Sequence, residues 1–231
     1  AANNTGVAYV NGGKVSLRGT GNISLAAGSV VDASSGATLG VDGKLAGGKG
    51  GNVTLSALGA LGLDGELRGY GVNGGGTLAL QTRKVQIGDS AVAADADTLK
   101  LAGDFFNKGF SAYDITGNEG LLVTDSTQVD VSAPVLRAGE QALSAATGSD
   151  PASALERWTP ALYQEDAIKG VLTQRRGATL SLNAGENNST AEQMASTVLT
   201  VGQGAVINVD PGQAINLRSI GQLNMDGTLN A

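Results

Sequence analysis

Two long segments of the chain repeat each other without a gap. Residues 53–67 (VTLSALGALGLDGEL) align on residues 215–229 (INLRSIGQLNMDGTL), and residues 23–39 align equally well on residues 199–215. In both pairs the apolar positions coincide, and so do several glycines. A chain that repeats itself in this way is typical of a repeat protein, in which equivalent residues of successive repeats stack on one another.

Inside each repeat, apolar residues alternate with polar ones over three to five residues, and glycine, asparagine or aspartate follows. A period of two predicts short strands with one buried face. Such strands cannot bury that face alone, but stacked coils can. We therefore expect an all-β fold, a right-handed parallel β-helix (β-solenoid) with strands about 4.8 Å apart, the hand following the usual right-handed crossover. Residues 1–231 would form a single solenoid domain.

An Asp-Gly pair recurs at the end of a strand in three repeats. We interpret these pairs as structural corners, in which the aspartate bonds to the backbone of the turn and the glycine takes a positive φ. On this interpretation the aspartates do not carry chemistry. The six corner residues are Asp42, Gly43, Asp64, Gly65, Asp226 and Gly227.

The composition excludes several classes of function. The chain has no histidine and no cysteine, so the usual general base, the usual ligands of transition metals and disulfides are all missing. We expect no catalytic residue, no cofactor and no metal, and folding that is independent of divalent ions. The net charge of −6 and the lack of a basic stripe argue against nucleic acid as a partner. No apolar run is long enough to predict direct insertion into a membrane.

The strand pattern stops between residues 137 and 177, which we expect to lie outside the solenoid. Asp150 followed by Pro151 is typical of the start of a helix. Leu155 and Trp158 would then share one face of a short helix with Ala154. Residues 162–170 (LYQEDAIKG) would form a second short turn.

A second excursion from the solenoid is predicted at residues 101–115 (LAGDFFNKGFSAYDI). Asp104 is a candidate cap of a helical turn that contains Phe105 and Phe106, and Gly109 is a candidate terminator. This segment is therefore expected to be irregular and partly helical.

Most aromatic residues of the chain lie in these two excursions. We predict that the excursions pack as one buttress, with Trp158 at least half buried against residues 101–115 or a face of the solenoid. The alternative hypothesis is an exposed recognition surface, since tryptophan and tyrosine favour binding sites. The candidate residues of that surface are Phe110, Tyr113, Trp158 and Tyr163.

Three stretches resemble one protein family. Residues 21–69 carry its repeat pattern, and the more specific likeness lies in residues 109–137 (GFSAYDITGNEGLLVTDSTQVDVSAPVLR) and 150–185. They resemble filamentous haemagglutinin-type exoproteins, the large surface adhesins of Gram-negative two-partner secretion. The resemblance implies a right-handed parallel β-helix, a secreted or cell-surface location, and a role in adhesion or biofilm.

The family also implies a partner outer-membrane transporter. Its secretion domain carries an Asn-Pro-Asn-Gly-type signature, which this chain lacks. We therefore expect an internal segment of the exoprotein, whose transporter binds a part of the protein not present here. Surface glycans or proteins of host or bacterium are the other expected partners.

The expected function is thus a structural and adhesive segment, not an enzyme. The alternative is a carbohydrate-active enzyme, a polysaccharide lyase or hydrolase, on the same scaffold. Asp32, Asp130 and Asn208 fall at one repeat position, so acidic residues could stack along one edge. A groove with convergent carboxylates and a basic residue would favour the enzyme, and a smooth polar surface would favour the adhesin.

Overall fold

The fold is all-β, as predicted. It is described from a computed structural model, in residues 9–40, 43–90, 94–142, 144, 146, 154–166, 168, 170–186 and 190–231. Strands account for 50% of the described residues, and the helix α1, Ala191–Ser196, is short.

The strands follow one another in short segments along the chain. The first eleven are β1 (Lys14–Gly19), β2 (Ile23–Leu25), β3 (Val30–Asp32), β4 (Ala37–Leu39), β5 (Leu45–Gly47), β6 (Asn52–Ala57), β7 (Leu61–Leu63), β8 (Glu66–Arg68), β9 (Thr77–Ile87), β10 (Thr98–Leu101) and β11 (Ala112–Val123). The others are β12 (Gln128–Asp130), β13 (Val135–Ala138), β14 (Leu155–Trp158), β15 (Tyr163–Asp166), β16 (Val171–Gln174), β17 (Thr179–Ala184), β18 (Val198–Val201), β19 (Val206–Asn208), β20 (Ile215–Ser219), β21 (Gln222–Met225) and β22 (Thr228–Asn230).

The main sheet joins strands that are far apart in sequence. Its order is β1-β6-β9-β11-β17-β20, and every neighbouring pair is parallel. The aligned repeat residues Val53 and Ile215 occupy the same row of this sheet, which confirms the self-alignment as a spatial equivalence. Two apolar ladders result, one of Val15, Val53, Leu78, Tyr113, Leu180 and Ile215, the other of Leu17, Leu55, Leu80, Ile115, Leu182 and Leu217.

These ladders form the centre of the core. Leu55, Leu78 and Leu180 are fully buried, because side chains on the same face of neighbouring strands stack on one another and belong to one apolar cluster with residues of other strands. Burying one such side chain contributes about 1.5–3 kcal/mol. The alternation of apolar and polar residues therefore specifies which face of each strand points inward.

Further parallel sheets flank the main one. They pair β2 with β7, β3 with β8, and β12 with β19 and β22. The second halves of the long strands β9 and β11 pair with each other and with β10 and β18, which together with β21 belong to the same nine-stranded sheet. Each repeat thus contributes strands to more than one sheet.

The shared repeat position of Asp32, Asp130 and Asn208 predicted a stack of acidic side chains. The structure has a ladder made mostly of asparagine amides instead. Asn208 lies opposite Asp130 and donates to its carboxylate at 2.8 Å, and Asn230 donates to Asn208 at 2.7 Å. Asp32 lies instead in the β3–β8 pair, opposite Arg68. Because two members of the ladder are amides, carboxylates do not converge there, and the row serves to tie neighbouring strands together.

Residues 101–115 were expected outside the solenoid, but Leu101 ends β10 and residues 112–115 begin β11. The segment between these strands bonds to the layers on either side. The carbonyl of Lys108 accepts a hydrogen bond from Gly69 N–H, and the carbonyl of Phe106 accepts one from Ser132 N–H. The predicted helical turn at Phe105 and Phe106 is wrong, because both residues lie outside any helix. Phe105 N–H closes only one isolated turn, on the Ala102 carbonyl at 3.1 Å. Gly109 does have a positive φ of 84°, but it ends a loop.

The predicted helix does not extend to Trp158: Ala154 is helical, but the chain is a strand from Leu155 onward. Residues Leu155–Trp158 form β14, which pairs antiparallel with β13, and residues 163–174 form a second antiparallel pair, β15 with β16. Asp150 and Pro151 lie outside the described residues. Leu155–Trp158 forms a strand and not a helix because its backbone pairs with that of Val135–Ala138.

The β13–β14 pair is pinned to β8 by one arginine. Arg157 donates to the Glu66 carboxylate at 2.8 Å, and its guanidinium lies over the Tyr70 ring, 4.5 Å from the centroid. Arg68 bonds to the other oxygen of the same carboxylate. The hydrogen bond from Arg68, helped by that from Arg157, lowers the pKa of Glu66 to about 2, although burial opposes the shift.

This pairing predicts an acid-sensitive contact. Because the folded pKa lies below the ordinary 4.5, Glu66 stabilises the fold fully above about pH 4.5, and this contribution is lost as the pH falls towards 2. An NMR titration of the Glu66 carboxyl carbon should give a midpoint near 2. Replacing Arg157 with glutamine should raise the midpoint, since one donor is removed. A wild-type midpoint near 4.5 would show that neither arginine holds Glu66.

The β15–β16 hairpin is held at its base by a second arginine. Arg175 donates twice to the Asp210 carboxylate, at 2.8 and 2.6 Å, and a third time to the carbonyl of Pro160 at 2.9 Å. The Asp210 side chain is only 7% exposed. The hydrogen bonds that Arg175 donates to Asp210 raise the pKa of Arg175.

Candidate functional site

Two residues of the predicted recognition surface lie inside the core. Phe110 and Tyr113 are 0% and 1% exposed, so the prediction of an exposed surface is wrong for both. Their rings meet edge to face with centroids 5.9 Å apart, and Phe106 meets Tyr113 in the same way at 5.4 Å. Burial raises the pKa of the Tyr113 phenol, whose oxygen accepts a hydrogen bond from Lys108 N–H. These rings stabilise the fold and are not available to a ligand.

The other two candidates lie on the antiparallel pairs. Trp158 is mostly buried, as predicted, but its neighbours are in β13, where it lies opposite Val135 and beside the guanidinium of Arg137. Tyr163 is 52% exposed on the hairpin. The structure therefore does not bring the four aromatic candidates together into one surface.

The Asp-Gly corners are structural, but for two different physical reasons. Gly43 has the predicted positive φ, at 74°, whereas neither Gly65 nor Gly227 has one. A Cβ on Gly65 would lie 2.2 Å from Ser29 Oγ and 2.9 Å from its carbonyl, and one on Gly227 would lie 2.5 Å from the Ala205 carbonyl. These two glycines are thus required by close packing against the preceding repeat.

In the part of the chain that the structure describes, the aspartate side chains of these corners do not make the predicted hydrogen bonds to the turn. The side chains of Asp64 and Asp226 are exposed, and it is their backbone N–H groups that bond to Leu25 and Val201 of the preceding repeat. Asp42 lies outside the described residues. The predicted side-chain bond to the turn is therefore replaced by a bond from the backbone.

A substitution at Gly65 can test whether close packing is the reason that this corner requires glycine. Gly65→Ala should lower the free energy of unfolding by about 1–3 kcal/mol, as overpacking does, and Ser29→Ala in the same chain should restore part of the loss. Asp64→Asn is the control and should stay within about 0.5 kcal/mol of wild type. Chemical denaturation measures all three. A Gly65→Ala variant as stable as wild type would show that the corner has room for a side chain.

The best candidate site is a polar groove of about 590 Å³ at the corner between the two halves of β9 and β11. It arises from a β-bulge. Thr82 faces Gly117 and Lys84 faces Gly120, so Asn118 and Glu119 both oppose Arg83. A bulge re-aims side chains and is common beside functional sites. Here it directs Asn118 and Glu119 to the groove.

Four successive repeats contribute to the walls. Leu58 follows β6, Arg83 and Lys84 lie in β9, Asn118 and Glu119 in β11, and Glu186 follows β17; Gln193, Ser196 and Thr197 come from α1 and its end. A second cavity of about 390 Å³ adjoins the first at Lys84 and Glu119 and is lined by Leu121, Leu122 and Thr200 among others.

Hydrogen bonds across the repeats hold these polar groups in place. Gln81 lies at the centre of this network. It accepts from Ser56 at 2.9 Å and donates to Asn118 at 3.1 Å and to Glu186 at 2.7 Å. Asn118 and Glu186 are therefore each oriented by Gln81, which lies in another strand, and this part of the groove is preorganised.

The charges of the groove compensate one another. Arg83 donates to both oxygens of Glu119, at 2.9 and 3.1 Å, and to Asp97 at 2.6 Å. Lys84 donates to Asp95 at 2.6 Å, which raises the pKa of Lys84 and lowers that of Asp95. The walls carry two basic and two acidic residues. The site is thus rich in hydrogen-bonding groups but has no strong net charge.

This arrangement suits binding better than proton transfer. Both oxygens of Glu119 are occupied by Arg83, and Glu186 accepts from Gln81. Among the described residues, no group of three or more histidine, cysteine, aspartate or glutamate side chains is placed to hold a metal ion. The groove can offer fixed donors and acceptors to a polar ligand.

Sequence reasoning missed every residue of this groove. The available signal was the segment 116–120 (TGNEG), in which two polar residues stand between glycines inside a strand pattern. An isolated glycine within a strand is a sign of a bulge. The partners of Asn118 and Glu119, however, come from other repeats and cannot be deduced from this segment.

Comparison with known proteins gave no match: no family model, no curated protein and no solved structure is significantly similar to the chain. Within the part of the chain that the structure describes, no helix has the length and apolar character needed to cross a bilayer.

Proposed function

We propose that the chain is a right-handed parallel β-helix that serves as a structural and adhesive segment of a secreted bacterial surface exoprotein. The observation that carries this proposal is the parallel stack of six strands, in which equivalent repeat residues lie in register. A right-handed path between successive parallel strands is the usual one. Stacking of this kind extends a chain in one direction, as a surface rod requires.

The resemblance to filamentous haemagglutinin-type exoproteins supports the same role. On this proposal the whole exoprotein leaves a Gram-negative cell through an outer-membrane transporter, which binds a part of the protein not present here. This segment then contacts a glycan or protein on a host or bacterial surface and takes no part in catalysis.

The adhesive role can be tested with coated beads. Beads that carry the folded chain should attach to epithelial or bacterial cells, and soluble chain should compete for that attachment. Beads that carry heat-denatured chain are the control. If folded and denatured chains attach equally poorly to every surface, the segment is not adhesive. Small-angle scattering of the folded chain checks the elongated shape.

The groove also supports a second candidate function, that of a carbohydrate-active enzyme. Glu119 and Glu186 converge there with Arg83 and Lys84, which is the pattern that would favour an enzyme. Incubation with a panel of polysaccharides, followed by an assay of new reducing ends, tests this alternative. Release that is abolished by Glu186→Gln would establish an enzyme, whereas intact polysaccharide favours the adhesin.

A further inference from the structure

We propose that the groove beside the β11 bulge binds a neutral oligosaccharide whose chain runs along the stack of repeats. This inference rests on the proposed adhesive function and assigns it a site and a class of ligand. It draws on three features of the groove: its charge balance, its direction and its fixed polar groups.

The charge balance favours a neutral ligand. An anion would need unpaired cations, but Arg83 is paired with Glu119 and Asp97, and Lys84 is paired with Asp95. A cation could bind Glu119 only by displacing Arg83, and Glu186 already accepts a hydrogen bond from Gln81. Sugar hydroxyls need neither, since each can donate one hydrogen bond and accept others from groups that are already paired.

The direction of the groove matches an extended chain of sugars. Its polar groups come from successive strands, with Arg83 in β9, Asn118 in β11 and Glu186 after β17. Neighbouring strands lie about 4.8 Å apart, close to the length of one pyranose residue in an extended glycan. One sugar per strand could therefore contact an equivalent polar group, and a volume of about 590 Å³ is adequate for a short oligosaccharide.

The polar groups are planar and held in position. The amide of Asn118, the carboxylate of Glu186 and the guanidinium of Arg83 are planar groups with several donor or acceptor positions each, so sugar hydroxyls can bond to them in addition to their present partners. Gln81 fixes the first two and Glu119 fixes the third. Leu58, which is 51% exposed at the rim, provides an apolar contact for the C–H face of a sugar ring. Preorganised groups lose little entropy when a ligand binds.

The test measures the binding of neutral cello-, manno- and malto-oligosaccharides, from disaccharide to hexasaccharide, by calorimetry and by saturation-transfer NMR. We expect one of these series to bind, with affinity that rises with chain length and changes little with salt. Asn118→Ala and Glu186→Gln should each weaken binding about tenfold, because the first removes the partner of a sugar hydroxyl and the second replaces a charged acceptor with a neutral amide. Asn216→Ala, an exposed asparagine in β20 outside the groove, should bind like wild type.

Each outcome decides the inference. Binding that survives both groove variants, or no binding of any neutral series by the folded wild type, overturns it. Tighter and salt-sensitive binding of sulfated or uronic oligosaccharides overturns the neutral assignment. If the beads still attach to cells in any of these cases, the adhesive function stands and only the groove is excluded; if attachment also fails, both proposals fall.

Discussion

Replacing Phe110 with alanine should lower the free energy of unfolding by about 3–5 kcal/mol, the usual cost of removing a buried phenylalanine ring. The ring is 0% exposed and packs directly on the Cα of Gly69, where a Cβ would lie 2.2 Å from it. Edge-to-face contact with Tyr113 adds to its contribution. The surrounding backbone is hydrogen-bonded to neighbouring layers, so it cannot collapse to fill the cavity.

Tyr163→Ala provides a matched control. Both residues are aromatic and both were candidates for the recognition surface, but Tyr163 is 52% exposed. Its removal should change the free energy of unfolding by no more than about 0.5 kcal/mol. Chemical denaturation followed by circular dichroism measures both variants. A Phe110→Ala variant that unfolds at the wild-type midpoint would contradict the buried position of this ring.

Replacing Arg175 with alanine should also lower the free energy of unfolding, by about 3–5 kcal/mol. The Asp210 side chain is 7% exposed, and Arg175 supplies two of its hydrogen bonds. Arg175→Ala would leave a carboxylate charge buried without its partner. The variant should also release the hairpin, because the bond from Arg175 to the Pro160 carbonyl is lost with the same side chain.

The neighbouring arginine is the control for this prediction. Arg176 is exposed and makes one bond, at 2.7 Å, to the carbonyl of Asn73. Arg176→Ala should therefore cost less than about 1 kcal/mol. Hydrogen exchange of β15 and β16 reports the release of the hairpin directly. Equal exchange in wild type and Arg175→Ala would show that the ion pair does not anchor it.

Local sequence patterns predicted the regular part of the fold. The alternation in residues 53–67 and its repetition in residues 215–229 were sufficient to predict all-β structure and the equivalence of Val53 and Ile215. These predictions succeeded for two reasons. A period of two defines a strand with one buried face, and stacked strands place equivalent residues of successive repeats side by side.

Residues whose environment comes from other repeats could not be predicted in this way. The stretch Leu155–Trp158 has an apolar spacing compatible with a helix, but it becomes a strand because β13 and the Glu66 carboxylate are available to it. Gly65 was assigned a positive φ, whereas its actual constraint is the closeness of Ser29. In both cases the deciding atoms lie many residues away.

The sequence by itself determined the strand repeat, its inward and outward faces and the absence of histidine and cysteine chemistry, because these depend on residue type and short spacing alone. Only the tertiary structure decided that Phe110 is buried on Gly69 and that Asn118 and Glu119 meet Glu186 in a groove. A groove is built from side chains of several repeats. The glycines at 117 and 120 are a local sign of the bulge. The side chains that meet there, however, depend on how the layers align, and no local pattern encodes that alignment.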